Sequence, residues 1–158
     1  MTIKKIQILR EESSPLHAYL KHEQDTVLKD LATISHFKPL NDNDGPYDLQ
    51  LSIEESRLVM RMKNGNDHDI PALVLSLKPY RRIIQDYFLM IESYEQARQN
   101  ATREKLEAID MARRGIHNEG AELFMKRLKD KIDIDFDTAR KFFTLICVLH
   151  KSHMRLVG

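Results

Sequence analysis

The residue types able to do chemistry are densest between Ala108 and His150, where the chain reads AIDMARRGIHNEGAELFMKRLKDKIDIDFDTARKFFTLICVLH. His117 and Glu119 are the candidate catalytic pair, because an imidazole and a carboxylate facing one cleft can pass a proton. Arg113 and Arg114 are candidate anion ligands, since a guanidinium fork matches a phosphate or carboxylate. Asn118 joins them if a helix begins there, because the free N–H groups of a helix N-terminus attract an anion. Two features oppose the site. Glu119 would repel an anion at that same terminus. Asp110 lies four residues before Arg114 and can neutralise it.

The same residues also suit a purely structural role. Arginines favour the negative end of a helix. Gly115 can adopt the left-handed conformation that ends one. Asn118 is a good cap for a following helix, with Glu119 in its first turn. The preferred expectation is therefore a capped helix-turn-helix corner. A continuous helix through Gly115 and Gly120 is the alternative. It would place Arg113 and His117 on one face, and each glycine would cost it about 1 kcal/mol relative to alanine.

Other constellations fall short of a site. Cys147, His150 and His153 read as C-x2-H-x2-H, but His153 is turned away on a helix and no fourth zinc ligand stands near. Asp133, Asp135 and Asp137 lack the glycine and distal glutamate of a calcium loop. They alternate with Ile132, Ile134 and Phe136, so a short extended segment with its aspartates in water is expected. Asp137 would then cap the last helix. A DNA-binding reading of the corner fails on charge, because Glu119 and Glu122 would stand where a recognition helix meets phosphates. No phosphate loop, nucleophile elbow or metalloprotease motif is present. No metal and no cofactor is expected.

The elements that must position these residues follow from periodicity. Ile3, Ile6 and Ile8 mark a first strand. Ser13-Ser14-Pro15 opens a helical stretch carrying Val27, Leu28, Leu31 and Ile34. Residues 36–46 are rich in turn formers and are the candidate mobile loop. Leu49, Leu51 and Ile53, then Leu58, Met60 and Met62, alternate with polar residues as half-buried strands do. Asn64-Gly65-Asn66-Asp67 makes the turn to a third run, Ile70 to Leu77. That run is more continuously apolar and is expected to be the more buried strand. Pro71 marks an irregular or edge position at its start.

Pro79 fits the first turn of a helix. Tyr80, Ile83, Ile84, Tyr87, Phe88, Ile91 and Tyr94 then repeat at helical spacing, with Arg82 and Asp86 as an i,i+4 pair. The aromatic stripe is read as core rather than a stacking platform for bases. Thr102 caps a helix with Leu106, Ile109, Ala112 and Ile116 on its apolar side. The order β-α-β-β-β followed by helices predicts an α+β fold: a small antiparallel sheet covered on one face by C-terminal helices. Residues 1–158 are read as one domain with a fraying tail at 151–158.

Three phrases carry a family resemblance: DYFLMIESY (Asp86 to Tyr94), AIDMARRGIHNEGA (Ala108 to Ala121) and KIDIDFDTARKFFTLICVLH (Lys131 to His150). In this order they resemble an alphaproteobacterial family of unknown function, uncharacterised protein family zero-two-six-two. The likeness spans about Tyr47 to His150, is looser before that, and excludes the tail. It implies a bacterial cytoplasmic origin and no particular reaction.

Bulk properties agree. The chain has 158 residues, 25 Lys+Arg against 24 Asp+Glu, and one cysteine. Near-neutral charge argues against a dedicated nucleic-acid binder. A lone Cys147 in an apolar run fits a reducing cytoplasm. No stretch approaches the ~20 apolar residues of a membrane helix, and the N-terminus does not read as a secretory signal. The last helix, with Phe142, Phe143, Leu145, Ile146, Val148 and Leu149, is apolar on most sides, so it belongs in the core or in a homodimer interface. The leading expectation is a non-catalytic cytoplasmic binding protein whose partner is another protein or a second copy. The alternative is an enzyme or small-anion binder built on Arg113–Glu119.

Overall fold

The structure, a computed structural model, describes residues 2–9, 18–100 and 102–157; of Leu9 and of residues 151–157 it describes the backbone only. The expected helix start at Ser13-Ser14-Pro15 and the side chain of His153 lie outside the described residues. The fold is α+β. Among the described residues ten main elements follow in order: β1 (Ile3–Leu9), α1 (Ala18–Thr33), β2 (Phe37–Pro39), β3 (Tyr47–Glu54), β4 (Arg57–Lys63), β5 (Asp69–Ser76), α2 (Arg81–Ala97), α3 (Arg103–Leu128), β6 (Ile132–Ile134) and α4 (Phe136–Val157). A 3-10 turn, Lys78–Tyr80, leads into α2 with Pro79 in its first positions.

The main sheet has the order β1-β3-β4-β5. β3, β4 and β5 form the expected meander. Leu49 stands opposite Met62, Leu51 opposite Met60 and Ile53 opposite Leu58, which puts all six on one face. Period-two alternation makes that face the inner one. β1, however, runs parallel to β3, pairing Ile6 with Leu49 and Ile8 with Leu51. The sheet is therefore mixed, not antiparallel as expected. A parallel neighbour needs a long crossover, and residues 10–46 with α1 supply it. Alternation in β1 is the same for either direction, so the pattern does not reveal the choice.

β5 corrects a second expectation. It is an edge strand, and within it only Leu73 and Leu75 are buried. Between the pairs Met60–Leu73 and Met62–Ile70, β4 spends one residue and β5 spends two. The extra residue is a bulge at Pro71-Ala72. Proline has no N–H for the ladder, so it is confined to such an edge. Continuity of apolar residues misled here because Val74 faces solvent.

The segment 36–46 is not simply a loop. β2 pairs antiparallel with β6, joining Phe37 to Ile134 and Pro39 to Ile132. Phe37 is fully buried between Tyr47 and Phe142, at centroid distances of 5.9 and 5.8 Å. Phe142 stacks in turn on Phe124 of α3 at 5.3 Å. This short sheet therefore ties the segment to the start of α4.

α4 is the central helix. Every residue from Phe142 to Leu149 is buried within this one chain. Its apolar perimeter is thus covered by its own chain, and it gives no reason to require a second copy. The cap also differs from expectation. Asp135 Oδ1 accepts from the Thr138 N–H at 2.9 Å, whereas Asp137 lies in the first turn and pairs with Lys141 at 2.7 Å. β6 ends at Ile134, so the chain turns into the helix two residues earlier than the spacing implied.

α2 follows the predicted stripe. Ile83, Ile84, Tyr87 and Ile91 are buried, and Arg82 pairs with Asp86 at 2.9 Å. Tyr94 packs on Tyr19 of α1 at 5.2 Å. In α3 the stripe is misplaced. Leu106 is 40% exposed and Met111 72%, and burial begins only at His117, continuing through Gly120, Ala121, Phe124 and Leu128.

Candidate functional site

α3 is one uninterrupted helix of 26 residues, and this decides the fate of the Arg113–Glu119 segment. Thr102 caps it as expected, its hydroxyl accepting from the Lys105 N–H at 3.2 Å. Gly115 does not end a helix and Asn118 does not begin one. No described glycine has positive φ. The preferred corner is therefore replaced by the alternative, a continuous helix. Burial of its second half against α4 outweighs two glycine penalties of about 1 kcal/mol each. Gly120 shows why: a Cβ there would overlap the Phe143 ring, with Cε1 only 2.6 Å away. The glycine lets α3 and α4 approach closely. Gly115 faces open space, with nothing within 4 Å of a built Cβ.

Helix geometry separates the catalytic candidates. At 100° per residue, His117 and Glu119 point about 200° apart. His117 faces inward and is 5% exposed. Its ring meets Tyr87 edge-on at 5.6 Å and Phe143 at 5.9 Å. Thr144 Oγ1 stands 3.4 Å from Nδ1 and 3.3 Å from the Arg140 carbonyl. If that hydroxyl donates to the carbonyl, it accepts from Nδ1–H and leaves the lone pair on Nε2. Nε2 is buried without a hydrogen-bond partner among the described residues, as is the Tyr87 hydroxyl. Burial, then the nearby Arg113 and Arg140 charges, push the imidazole down to about 4. At neutral pH it is an uncharged ring in an aromatic cage.

Glu119 faces out. Its carboxylate pairs with Arg82 of α2, which also holds Asp86. Arg113 and Arg114 both turn back on Asp110, at 3.0 and 2.8 Å. The hydrogen bond from Arg113 is the main reason that this carboxyl is held below its ordinary range. Asn118 is exposed in mid-helix. Backbone N–H groups at 115–118 lie within the helix ladder, so no free terminus is offered to an anion. The five candidate residues thus do not converge: His117 is held in an internal contact, Glu119 bridges two helices, Arg113 and Arg114 share an ion-pair cluster with Asp110, and Asn118 stays exposed.

The other motifs resolve in the same direction. Cys147 is wholly buried, and burial pushes its thiol up. Among the described residues no group of three or more His, Cys, Asp or Glu side chains could hold a metal ion. Asp133 Oδ2 instead bonds His36 Nε2 at 2.9 Å. No described helix is long and apolar enough to cross a membrane.

Two concavities that the sequence did not announce lie elsewhere. One groove, about 650 Å³, places Lys38, Lys126 and Lys129 around Leu40, Ile132 and Ile134. Lys126 and Lys129 sit at the C-terminal end of α3, where cations offset the negative helix end, and Lys38 comes from β2. The second groove, about 550 Å³, runs along the outer face of α2 beside His150 of α4. Arg81, Ile84, Gln85, Phe88, Leu89, Glu92 and His150 line it. Leu89 is 54% exposed, a large apolar side chain in an apolar trough. The available signal was Leu89 itself, the single leucine of α2, which does not belong to the buried stripe.

Comparisons with known proteins place the chain. A model of an uncharacterised protein family, UPF0262, matches residues 1–152. The match reaches back over the N-terminal third, where the resemblance of the motifs is looser, and it stops within the tail. A UPF0262 protein of Maricaulis maris strain MCS10 is 50% identical over 130 residues, covering 82% of this chain and 81% of the relative. A UPF0262 protein of Brucella canis is 49% identical over 132 residues, covering 83% and 82%. One from Brucella suis biovar 1 strain 1330 has the same identity and coverage. These organisms are alphaproteobacteria. No solved structure matches. The chain belongs to the uncharacterised protein family UPF0262.

Proposed function

We propose that this protein is a non-catalytic cytoplasmic interaction protein, and that the groove along α2 receives a protein partner. The observation that carries the reading is that groove: apolar at its centre, rimmed by charge, and left open around a half-exposed Leu89. Exposed apolar patches with polar rims are typical of protein interaction sites. The fate of the candidate chemistry supports the reading as well. His117 and Glu119 diverge, and both arginines already hold Asp110. A buried free thiol, Cys147, suits a reducing compartment.

The test is site-specific photocrosslinking in the producing bacterium. A benzophenone amino acid at Leu89 is expected to give adducts with protein. The same group at Met111, which is 72% exposed on α3, is expected to give none. Absence of adducts at Leu89 would overturn the reading. So would thermal stabilisation by phosphate- or carboxylate-bearing metabolites that disappears in Arg114→Ala, since that would restore an anion site on α3.

A further inference from the structure

We infer that the occupant of the α2 groove is the same groove of a second copy, docked antiparallel about a two-fold axis level with the midpoint between Asp86 and Tyr87. This rests on the interaction reading above and names its partner. The argument starts from the positions of the lining residues. A two-fold axis perpendicular to a helix brings together residues equally distant from it along the chain. About this midpoint the α2 residues of the groove pair off completely: Arg81 with Glu92, Ile84 with Leu89, and Gln85 with Phe88. Such symmetry belongs to any single helix face; what distinguishes this one is that its outermost pair, Arg81 and Glu92, carries opposite charges.

Arg81 and Glu92 lie eleven residues apart, roughly 16 Å along the axis at 1.5 Å per residue. Their opposite charges therefore meet at both ends of an antiparallel helix pair. Both side chains are exposed, and neither has an ion-pair partner among the described residues. Arg82, one residue on, is already committed to Asp86 and Glu119, so the unpaired charges are those on the groove itself. At the centre, Leu89 of one copy lies over Ile84 of the other, which floors the trough and is itself 1% exposed.

The helix dipole favours the same placement of these two charges. α2 carries no acidic residue in its first turn and no basic residue in its last, and Tyr80 provides no side-chain cap. Antiparallel docking brings Glu92 of the second copy to the positive N-terminal end of α2, and Arg81 of that copy toward its negative end. Charges so placed are favoured. The arrangement is closed and isologous, so it stops at a dimer.

The experiment is sedimentation velocity on the full chain at roughly 100 µM, which reveals any Kd tighter than about 10 µM. A dimer is expected, weakening as salt is raised. Arg81→Glu and Glu92→Arg are each expected to weaken it by about ten-fold or more, since each places like charges at both ends. Mixing the two variants in equal amounts is expected to restore a dimer, because every bridge is then remade with reversed polarity. Both residues are exposed and have no ion-pair partner among the described residues, so circular dichroism should report intact folds. Leu89→Asp is expected to leave a folded monomer. A wild-type monomer, a dimer indifferent to Arg81→Glu, or a mixture that fails to recover would each overturn the inference. The crosslinking experiment separates the two levels. An adduct from position 89 to a second copy supports both. An adduct to a different protein overturns the dimer and leaves the interaction reading standing. No adduct overturns both.

Discussion

Replacing Gly120 by alanine is expected to destabilise the protein, while the same change at Gly115, five residues earlier on the same helix, is expected to stabilise it. Alanine is favoured over glycine in a helix interior by about 1 kcal/mol, so local propensity alone predicts the same gain at both sites. The tertiary surroundings differ. At Gly115 the added methyl meets nothing within 4 Å. At Gly120 it would overlap Phe143, whose ring is fully buried and held by Tyr87 at 6.2 Å and His117 at 5.9 Å. That ring has no open side to retreat into, and overpacking of this kind costs about 1–3 kcal/mol. Net of the propensity gain, Gly120→Ala should lose about 1–2 kcal/mol and Gly115→Ala should gain about 0.5–1 kcal/mol.

The two variants should then differ in Tm by roughly 5–10 °C, given about 2–4 °C per kcal/mol for a chain of this size. Urea and thermal unfolding at one fixed protein concentration measure both, which keeps any self-association constant. Repeating Gly120→Ala in a Phe143→Leu background should shrink its penalty, because the smaller side chain leaves room for the methyl. If Gly120→Ala is as stable as Gly115→Ala, the close α3–α4 approach is not what holds α3 continuous, and the packing argument fails.

Three further outcomes are expected. His117 titrates at about 4 in the folded chain against about 6.5 unfolded, so the unfolded state takes up the proton first as pH falls. Its contribution to stability is complete above about pH 6.5 and declines toward pH 4, reaching a loss of about 2 kcal/mol by pH 5. Urea unfolding at pH 7 and pH 5 should show this loss, reduced in His117→Gln; equal slopes in both proteins would refute it. Asp135→Ala should cost about 1 kcal/mol as the lost cap of α4, whereas Asp137→Ala, an exposed ion-pair partner, should cost only a few tenths. Stability curves showing the reverse order would return the cap to Asp137. Finally, the buried Cys147 thiol should resist an aromatic disulfide reagent in the native protein and react on unfolding in urea. Rapid native labelling would contradict its position in the core.

Much of the fold is legible in the chain. The meander of β3, β4 and β5 follows from the alternation of Leu49, Leu51, Ile53, Leu58, Met60 and Met62. The α2 stripe, the Thr102 cap and the Arg82–Asp86 and Arg114–Asp110 pairs likewise follow from local spacing. These are short-range effects, complete within a few residues. The candidate site was less legible. Gly115, Asn118 and Glu119 fit a corner by every local rule, yet α3 runs straight through them. The first half of α3 carries Leu106 and Met111 into solvent, so apolar spacing did not mark its buried face. His117 does that instead, a residue whose type suggests chemistry and whose location makes it packing.

By itself, the sequence determined what each stretch prefers: which segments alternate, which repeat at helical spacing, which residues cap, and that charge is balanced around a single thiol. Only the tertiary structure decided how those preferences compete. It set β1 parallel to β3, put β5 at an edge, closed Phe37 and Ile134 into a second sheet, and carried α3 across two glycines. The reason is that each of these outcomes depends on surface buried between residues far apart in the chain. Phe143 against Gly120 and Phe142 between Phe37 and Phe124 outweigh local terms of about 1 kcal/mol, and no window along the chain contains both partners.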